Sequence, residues 1–385
     1  MQQRPHQPDG WQAIPSAAAG GTERRRLAVA LQGGGSHGAF TWGVLDRLLE
    51  EPAFEIVGIS GTSAGAMNAG ILADGLRRGG ASQARLALRH YWEDVGRLPG
   101  FASFSLPSGG QPTWHLDHNP LYLWADMLTR ICSPYQTNPP NYNPLRQLLG
   151  RIDFDGLRHD AEAARVFICA TNVRTGLRRV FQNAELSLDV LLASACLPQI
   201  YQAVQIGEDF YWDGGYTGNP ALAPLYLRTS ATDVIVVGIN PIERATVPHT
   251  ARGIIDRIDE ISFNSTFMLE LAAIAFVEDL IRSAAVEAPF RLLNVHGIGD
   301  DALAGFGASS KMNNEWGFLR HLHEIGWRAA DRWLGENREA IGVRSTVDLS
   351  GLIPAKEGLL TDQSIIKQRP FAPSNAVDRS RRQNP

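Results

Sequence analysis

Apolar residues along this chain fall into two alternating patterns. The first is the short, nearly unbroken run: Leu27–Leu31, Phe54–Ile59, Arg165–Asn172, Val234–Ile239 and Phe290–Val295. Runs of this length, rich in Val, Ile and Leu, predict strands buried on both faces. The second is helical spacing. Trp42, Val44, Leu45, Leu48 and Leu49 share one face, and Leu86, Leu88 and Trp92 point inward on a helix over 75–95. A short helix is predicted over 188–195. One or two long helices are predicted over 252–286, whose face of Ile254, Ile255, Ile258 and Ile261 and then Leu271, Ile274, Ala275 and Val277 is expected to pack into the core, the alternative being an interfacial face. A last helix spans 315–334. Arg165–Asn172 with Arg179–Phe181, and 203–206 with 210–212, read as hairpins. Strands alternating with helices predict an α/β chain, a three-layer α/β/α sandwich with a mostly parallel central sheet.

Three stretches break the alternation. Residues 1–24 are polar, with Pro, Gln and a small-residue tract, and read as a disordered leader. Residues 98–144 are irregular and rich in Pro, Gly, Asn and aromatics such as Trp114, Tyr122 and Trp124. Loops this long inside a compact domain are functional or disordered, and the aromatics argue against disorder. The stretch is therefore a cap over the site or a packed surface excursion. Residues 351–385 read as a polar tail, which bounds the folded domain at 25–350. His115 and His118 flank Asp117; these types ligate metals, but nothing in their spacing fixes a site, and no metal is expected.

Composition narrows the class. Hydrophobic residues make up 44% and charged residues 20% of the 385, as in an ordinary globular chain with ample core material. A net charge of −4 gives no basic surface for nucleic acid. Cys132, Cys169 and Cys196 fit neither a disulfide framework nor a zinc pattern, and are expected to be buried thiols in a reducing, cytoplasmic setting. The first residues lack the basic start and apolar stretch of a secretory signal. No unbroken apolar run reaches the roughly 18 residues of a membrane span, so contact with a membrane would be peripheral.

The chemistry sits after the first two strands. Gly61-Thr62-Ser63-Ala64-Gly65 lies between a strand and a helix, the context of a nucleophile elbow that presents a serine hydroxyl on a strained corner. Its plainer reading is an ordinary strand-to-helix turn. After strand one comes Gly33-Gly34-Gly35-Ser36-His37-Gly38, whose Gly33, Gly35 and Gly38 fit the spacing of a dinucleotide loop. That use needs an acid at the end of the second strand, but Glu55 stands at its beginning. The other use of bare glycine amides at a helix start is an anion hole, which an ester-cleaving serine requires. In a parallel sheet the two loops emerge side by side. Asp213-Gly214-Gly215 is either a carboxylate exposed at a strand end or a turn-former. A serine also needs a base. His296, after the last strand, is the candidate for a triad, though Ser63 follows only the second strand, whereas an α/β-hydrolase elbow follows several. His37 flanks the glycine loop rather than the hydroxyl.

The three motifs in this order, with Ser194-Ala195-Cys196-Leu197-Pro198 ahead of the aspartate, resemble the patatin-like phospholipase family over about 27–295. The resemblance implies a Ser–Asp dyad without a catalytic histidine: Ser63 the nucleophile and Asp213 the base. It places the oxyanion hole at the amides of Gly34 and Gly35, with Gly33 or Ser36 contributing. His37, Gly38, Gly61, Gly65, Gly214 and Gly215 flank these positions. It implies a metal-independent serine acyl hydrolase of lipid esters, with no cofactor and a lipid ester as partner. Acyl transfer to another alcohol, or a silent lipid- or partner-binding module, are the alternatives. His37 departs from the basic residue that many members carry there. If that position helps bind a phosphate head group, the departure would shift preference toward neutral esters.

Overall fold

The computed structural model describes residues 24–100, 114–244, 246–282 and 292–349. The leader up to residue 23, residues 101–113 of the irregular stretch and the tail lie outside the described residues. One sheet gathers β1 (Arg25–Leu31), β2 (Phe54–Thr62), β3 (Arg165–Asn172), β4 (Arg178–Gln182), β5 (Val204–Ile206), β6 (Asp209–Asp213), β7 (Asp233–Val237) and β8 (Asn294–Ile298). β8, β7, β1, β2 and β3 lie side by side and parallel. β4, β5 and β6 are antiparallel additions at the β3 end. The expected α/β class and its mostly parallel sheet are therefore found.

The helices that bear on the site are α1 (Gly38–Leu48), α2 (Ala64–Arg97), α3 (Pro120–Ile131), α4 (Leu188–Ser194), α5 (Ala251–Arg282) and α6 (Trp316–Asn337). They cover both faces because strand side chains alternate. Leu27, Val29, Leu31, Ile235 and Val237 enter one core with Phe40, Met67 and Phe318 from α1, α2 and α6. Ala28, Ala30, Val234 and Val236 enter a second core with Phe267, Leu271 and Ala275 of α5. The result is the predicted three layers. Gly79 and Gly80 leave helical geometry and break α2 into two pieces. The cysteines are free, Cys169 and Cys196 buried and Cys132 only partly so.

Three expectations are corrected. Leu86, expected to point inward with Leu88 and Trp92, is exposed on α2. The described part of 98–144 is irregular only in part, because it holds a helix: Asn119 caps α3 by accepting from the amides of Leu121 and Tyr122, with Pro120 at the first helical position. An Asn-Pro pair is here a helix start. In α5, the predicted inward residues Ile254, Ile255, Ile258 and Ile261 are exposed. The buried side carries Glu260, Asn264, Phe267, Leu271, Ala275 and Glu278. The helix has two apolar stripes, and the sheet takes the one that holds Phe267, Leu271 and Ala275. Glu260 is held by Arg244 and Arg257, and Asn264 Nδ2 donates to the carbonyl of Pro241. By length and composition alone, Gly253–Ile281 is the one helix among the described residues that could cross a membrane. Scattered charges along it are why no unbroken run showed in the sequence.

Candidate active site

β1 and β2 pair through Leu31 and Gly61, so the loops that follow them leave the same edge of the sheet. Ser63 sits between β2 and α2 at φ 54°, ψ −122°, a left-handed conformation costly to a side-chain-bearing residue. Hydrogen bonds hold it there. Its amide donates to Ser194 Oγ (2.9 Å), whose own hydroxyl donates to the Cys169 carbonyl (2.6 Å). Thr62 Oγ1 donates to the Gly218 carbonyl at 2.7 Å. Gly65 lies so close to the Leu31 carbonyl that a β-carbon would overlap it, which is the reason for a glycine there. The hydroxyl is thereby presented, mostly buried, at the positive end of α2.

Register brings Asp213 to it. β3 outruns β2: Cys169 pairs with Thr62, the last residue of β2, and the next residue, Ala170, pairs with Asp213 of β6. Asp213 therefore stands beside the end of β2. Thr171 Oγ1 donates to its carbonyl (2.8 Å), and its amide donates to the Cys196 carbonyl (2.8 Å). The side chain is fully buried. Oδ1 accepts from the Gly215 amide at 2.7 Å. Oδ2 has no partner in hydrogen-bond geometry among the described residues. Burial pushes the carboxyl up to about 7, against the downward pull of the Gly215 amide and the Ser63 hydroxyl. The serine thus acts on a carboxylate whose second oxygen is otherwise bare. Such contacts are often loose before substrate binds.

The glycine loop faces the same point. Gly33 approaches Ser63 so closely that an added β-carbon would meet Ser63 Cβ at 2.6 Å. Its amide already donates to Asn219 Oδ1 (2.6 Å). The amides of Gly34, Gly35 and Ser36 open the turn into α1, where backbone donors have no helical partner. Gly35, at φ 58°, packs against the Lys311 carbonyl, a position closed to other residues. Asn240 Nδ2 donates to the Gly33 carbonyl at 2.7 Å, and Lys311 Nζ donates to Asn240 Oδ1 at 2.9 Å. Asn68 Nδ2 donates to the Gly38 carbonyl (3.0 Å), tying α1 to α2, while Asn68 Oδ1 accepts from Trp92 Nε1 (3.0 Å). Gly214 lies against the Cys169 carbonyl and Gly61 against that of Gly65.

The histidines are elsewhere. His37 is buried and its Nε2 pairs with Ser310 Oγ at 2.7 Å. Ser310 spends its proton on the Gly307 carbonyl (2.6 Å), so the ring must donate through Nε2–H. Burial first, then the Lys311 and Arg244 cations, push His37 down to about 3, so it is neutral. His296 lies in β8 with Nε2 on Asp233 Oδ1 (2.9 Å) and Nδ1 on Thr346 Oγ1 (3.1 Å). Asp233 opens β7, opposite Leu27, at the edge of the sheet away from Ser63. This placement excludes the triad considered for His296. His115 Nδ1 accepts from the Gly307 amide. Asn240 and Lys311 went unnoticed in the sequence; neither belongs to a motif, and only topology brings them to the loop.

Among known families, the one described as patatin-like phospholipase matches residues 29–226, just over half the chain. No curated protein matches. Among solved structures, VipD from Legionella pneumophila aligns at 14% identity with a TM-score of 0.34, over 78% of this chain and 67% of its own. ExoU, in its complex with SpcU from the type III secretion system of Pseudomonas aeruginosa, aligns at 17% identity and a TM-score of 0.28, over 85% of this chain. This chain spans 65% of that structure's length.

Proposed function

The chain belongs to the patatin-like phospholipase family, a family of lipid hydrolases, and from that premise we propose that it is a serine acyl hydrolase cleaving carboxylic esters of lipids. The observation that carries the reading is the fully buried Asp213, its carboxyl raised to about 7 and one oxygen unpartnered, beside a serine on a strained elbow. A free carboxylate is too weak a base at neutral pH, and this burial strengthens it. Ser63 Oγ attacks the ester carbonyl as its proton passes to Asp213. The amides of Gly34, Gly35 and Ser36 take the negative oxygen of the tetrahedral intermediate. Collapse breaks the ester C–O bond, and Asp213 returns the proton to the leaving alcohol. Water then attacks the acyl-enzyme, its proton passing to Asp213. The second collapse frees the acid, and that proton returns to Ser63 Oγ. No step calls for a metal.

The substrate's setting follows from the surface. α3 exposes Leu121, Leu123, Trp124, Met127 and Ile131, and α5 exposes Ile254, Ile255, Ile258 and Ile261. The helices are neighbours, near enough for Arg130 to feel Asp256. One turn along α5, the Phe263 ring packs edge-on against Tyr216, close to Asp213. An apolar surface of this kind beside a lipid-cleaving site suits peripheral contact with a lipid layer. The test is hydrolysis of p-nitrophenyl esters and of phospholipid vesicles, without added metal, by wild type, Ser63→Ala, Asp213→Asn and Ile258→Glu. The first two variants should be inactive on both. Ile258→Glu should keep the soluble ester and lose vesicles. An inert wild type would overturn the reading in favour of a binding module, and an active Ser63→Ala would overturn Ser63 as the nucleophile.

A further inference from the structure

The glycine loop is gripped from behind by a chain of donors that ends in a cation. Lys311 Nζ donates to Asn240 Oδ1 (2.9 Å), and Asn240 Nδ2 donates to the Gly33 carbonyl (2.7 Å). The orientation of the Asn240 amide is forced, because an ammonium can only donate and a carbonyl can only accept. Asn240 is itself buried, and its backbone amide donates to Gln32 Oε1 at 3.1 Å. The carbonyl of Gly33 and the N–H of Gly34 are two ends of one peptide unit. A donor on the carbonyl draws electron density through the unit and makes the N–H a better donor. Burial pulls the Lys311 pKa down while the carboxylates around it favour the charged form, and whatever charge the ammonium carries reaches the loop's amide through Asn240 without touching substrate. Of the acids near Lys311, Glu260, Asp256 and Asp259, the first is occupied by Arg244 (2.5 Å) and Arg257 (3.1 Å). The loop's own titratable residue, His37, is neutral and turned to Ser310.

We propose that Lys311 is a positioning residue that, through Asn240, fixes and polarises the Gly33–Gly34 peptide so that the Gly34 amide binds the oxyanion more strongly. This rests on reading Ser63 as the nucleophile and the glycine loop as its oxyanion hole.

The test uses the full chain, a soluble p-nitrophenyl ester, and a trifluoromethyl ketone that forms a tetrahedral adduct with a serine. Lys311→Met and Lys311→Gln should lower kcat about tenfold with KM within twofold, less than the 10²–10³ of losing a donor outright. Lys311→Arg should restore most of the rate. Affinity for the ketone should fall by the same factor as kcat. Asn240→Asp keeps a partner for Lys311 but removes the donor to Gly33; it should cost at least as much, and adding Lys311→Met to it should cost nothing further. Unchanged kcat in folded Lys311→Gln, a loss confined to KM, or losses that multiply in the double variant would overturn the proposal. A Ser63→Ala protein as active as wild type would instead overturn the reading on which it rests.

Discussion

Two aspartates are fully buried at opposite edges of one mostly parallel sheet, and their surroundings are opposite in kind. Asp233, at the start of β7, is surrounded by donors: His296 Nε2 (2.9 Å), Asn294 Nδ2 (3.0 Å) and the Gly342 amide (2.7 Å) on Oδ1, with the Thr232 hydroxyl on Oδ2. Burial alone would raise its pKa, but these bonds together hold it below the ordinary value. Asp213, at the end of β6, has one firm donor, and its pKa rises to about 7. A buried charge with all its partners is architecture. A buried charge left short of partners is costly to the fold, and it persists here beside a serine. The histidine that looked catalytic in the sequence belongs to the first kind.

The largest expected difference is in activity. Ser63→Ala and Asp213→Asn should each lower kcat by about 10⁴-fold or more, as happens when one member of a cooperating set is removed. His296→Asn should leave kcat near wild type in whatever fraction folds, and lose about 3 kcal/mol in urea unfolding because Asp233 is stripped of a partner. A folded, inactive His296→Asn would erase the comparison.

The same chemical change should also move stability in opposite directions. The rise of Asp213 from 3.8 to about 7 means that its ionised form is disfavoured in the folded protein, by roughly 4 kcal/mol. The unfolded chain ionises near pH 4 and the folded one only near 7, so this group's contribution falls as pH rises between them. Asp213→Asn should therefore raise stability by about 2–4 kcal/mol at pH 8 and by almost nothing at pH 3. Asp233→Asn should lower stability at pH 8. Its folded pKa is depressed, so its contribution is present above the ordinary carboxylate range and lost as pH falls below it. Denaturation of both variants at pH 3, 5 and 8 would check the signs; equal signs at pH 8 would break the contrast.

Smaller effects should come from the elbow's support. Ser194→Ala leaves the Ser63 amide and the Cys169 carbonyl without their shared partner. A loss of about 1–3 kcal/mol in stability is expected for stranded buried groups. kcat should fall only about threefold to tenfold, since the reacting groups remain.

What the sequence disclosed and what it hid have a common cause. Ser63 was legible because a strained corner demands small neighbours at fixed spacing, and such demands leave motifs. The strands and both hairpins were legible because buried strands are continuous apolar runs. α3 was not, because Asn119-Pro120 serves a turn and a helix start equally well. In α5 either apolar stripe suited a core, and only the sheet decides between Ile258 and Phe267. Asn219, Asn240 and Lys311 are single polar residues far from the loop in sequence, placed there by topology. Asp213 was legible as a motif, but its unpartnered oxygen was not.

The central claim is that Asp213 takes the proton of Ser63. The most direct measurement is the rate at which Ser63 is labelled by a fluorophosphonate, followed by intact mass from pH 5 to 9 in wild type and Asp213→Asn. The wild-type rate should climb through an apparent pKa near 7 and then level, as the carboxylate ionises, while the Asp213→Asn rate should be low and flat. A wild-type rate indifferent to pH in that range, an unchanged rate in Asp213→Asn, or a label on another residue would contradict it.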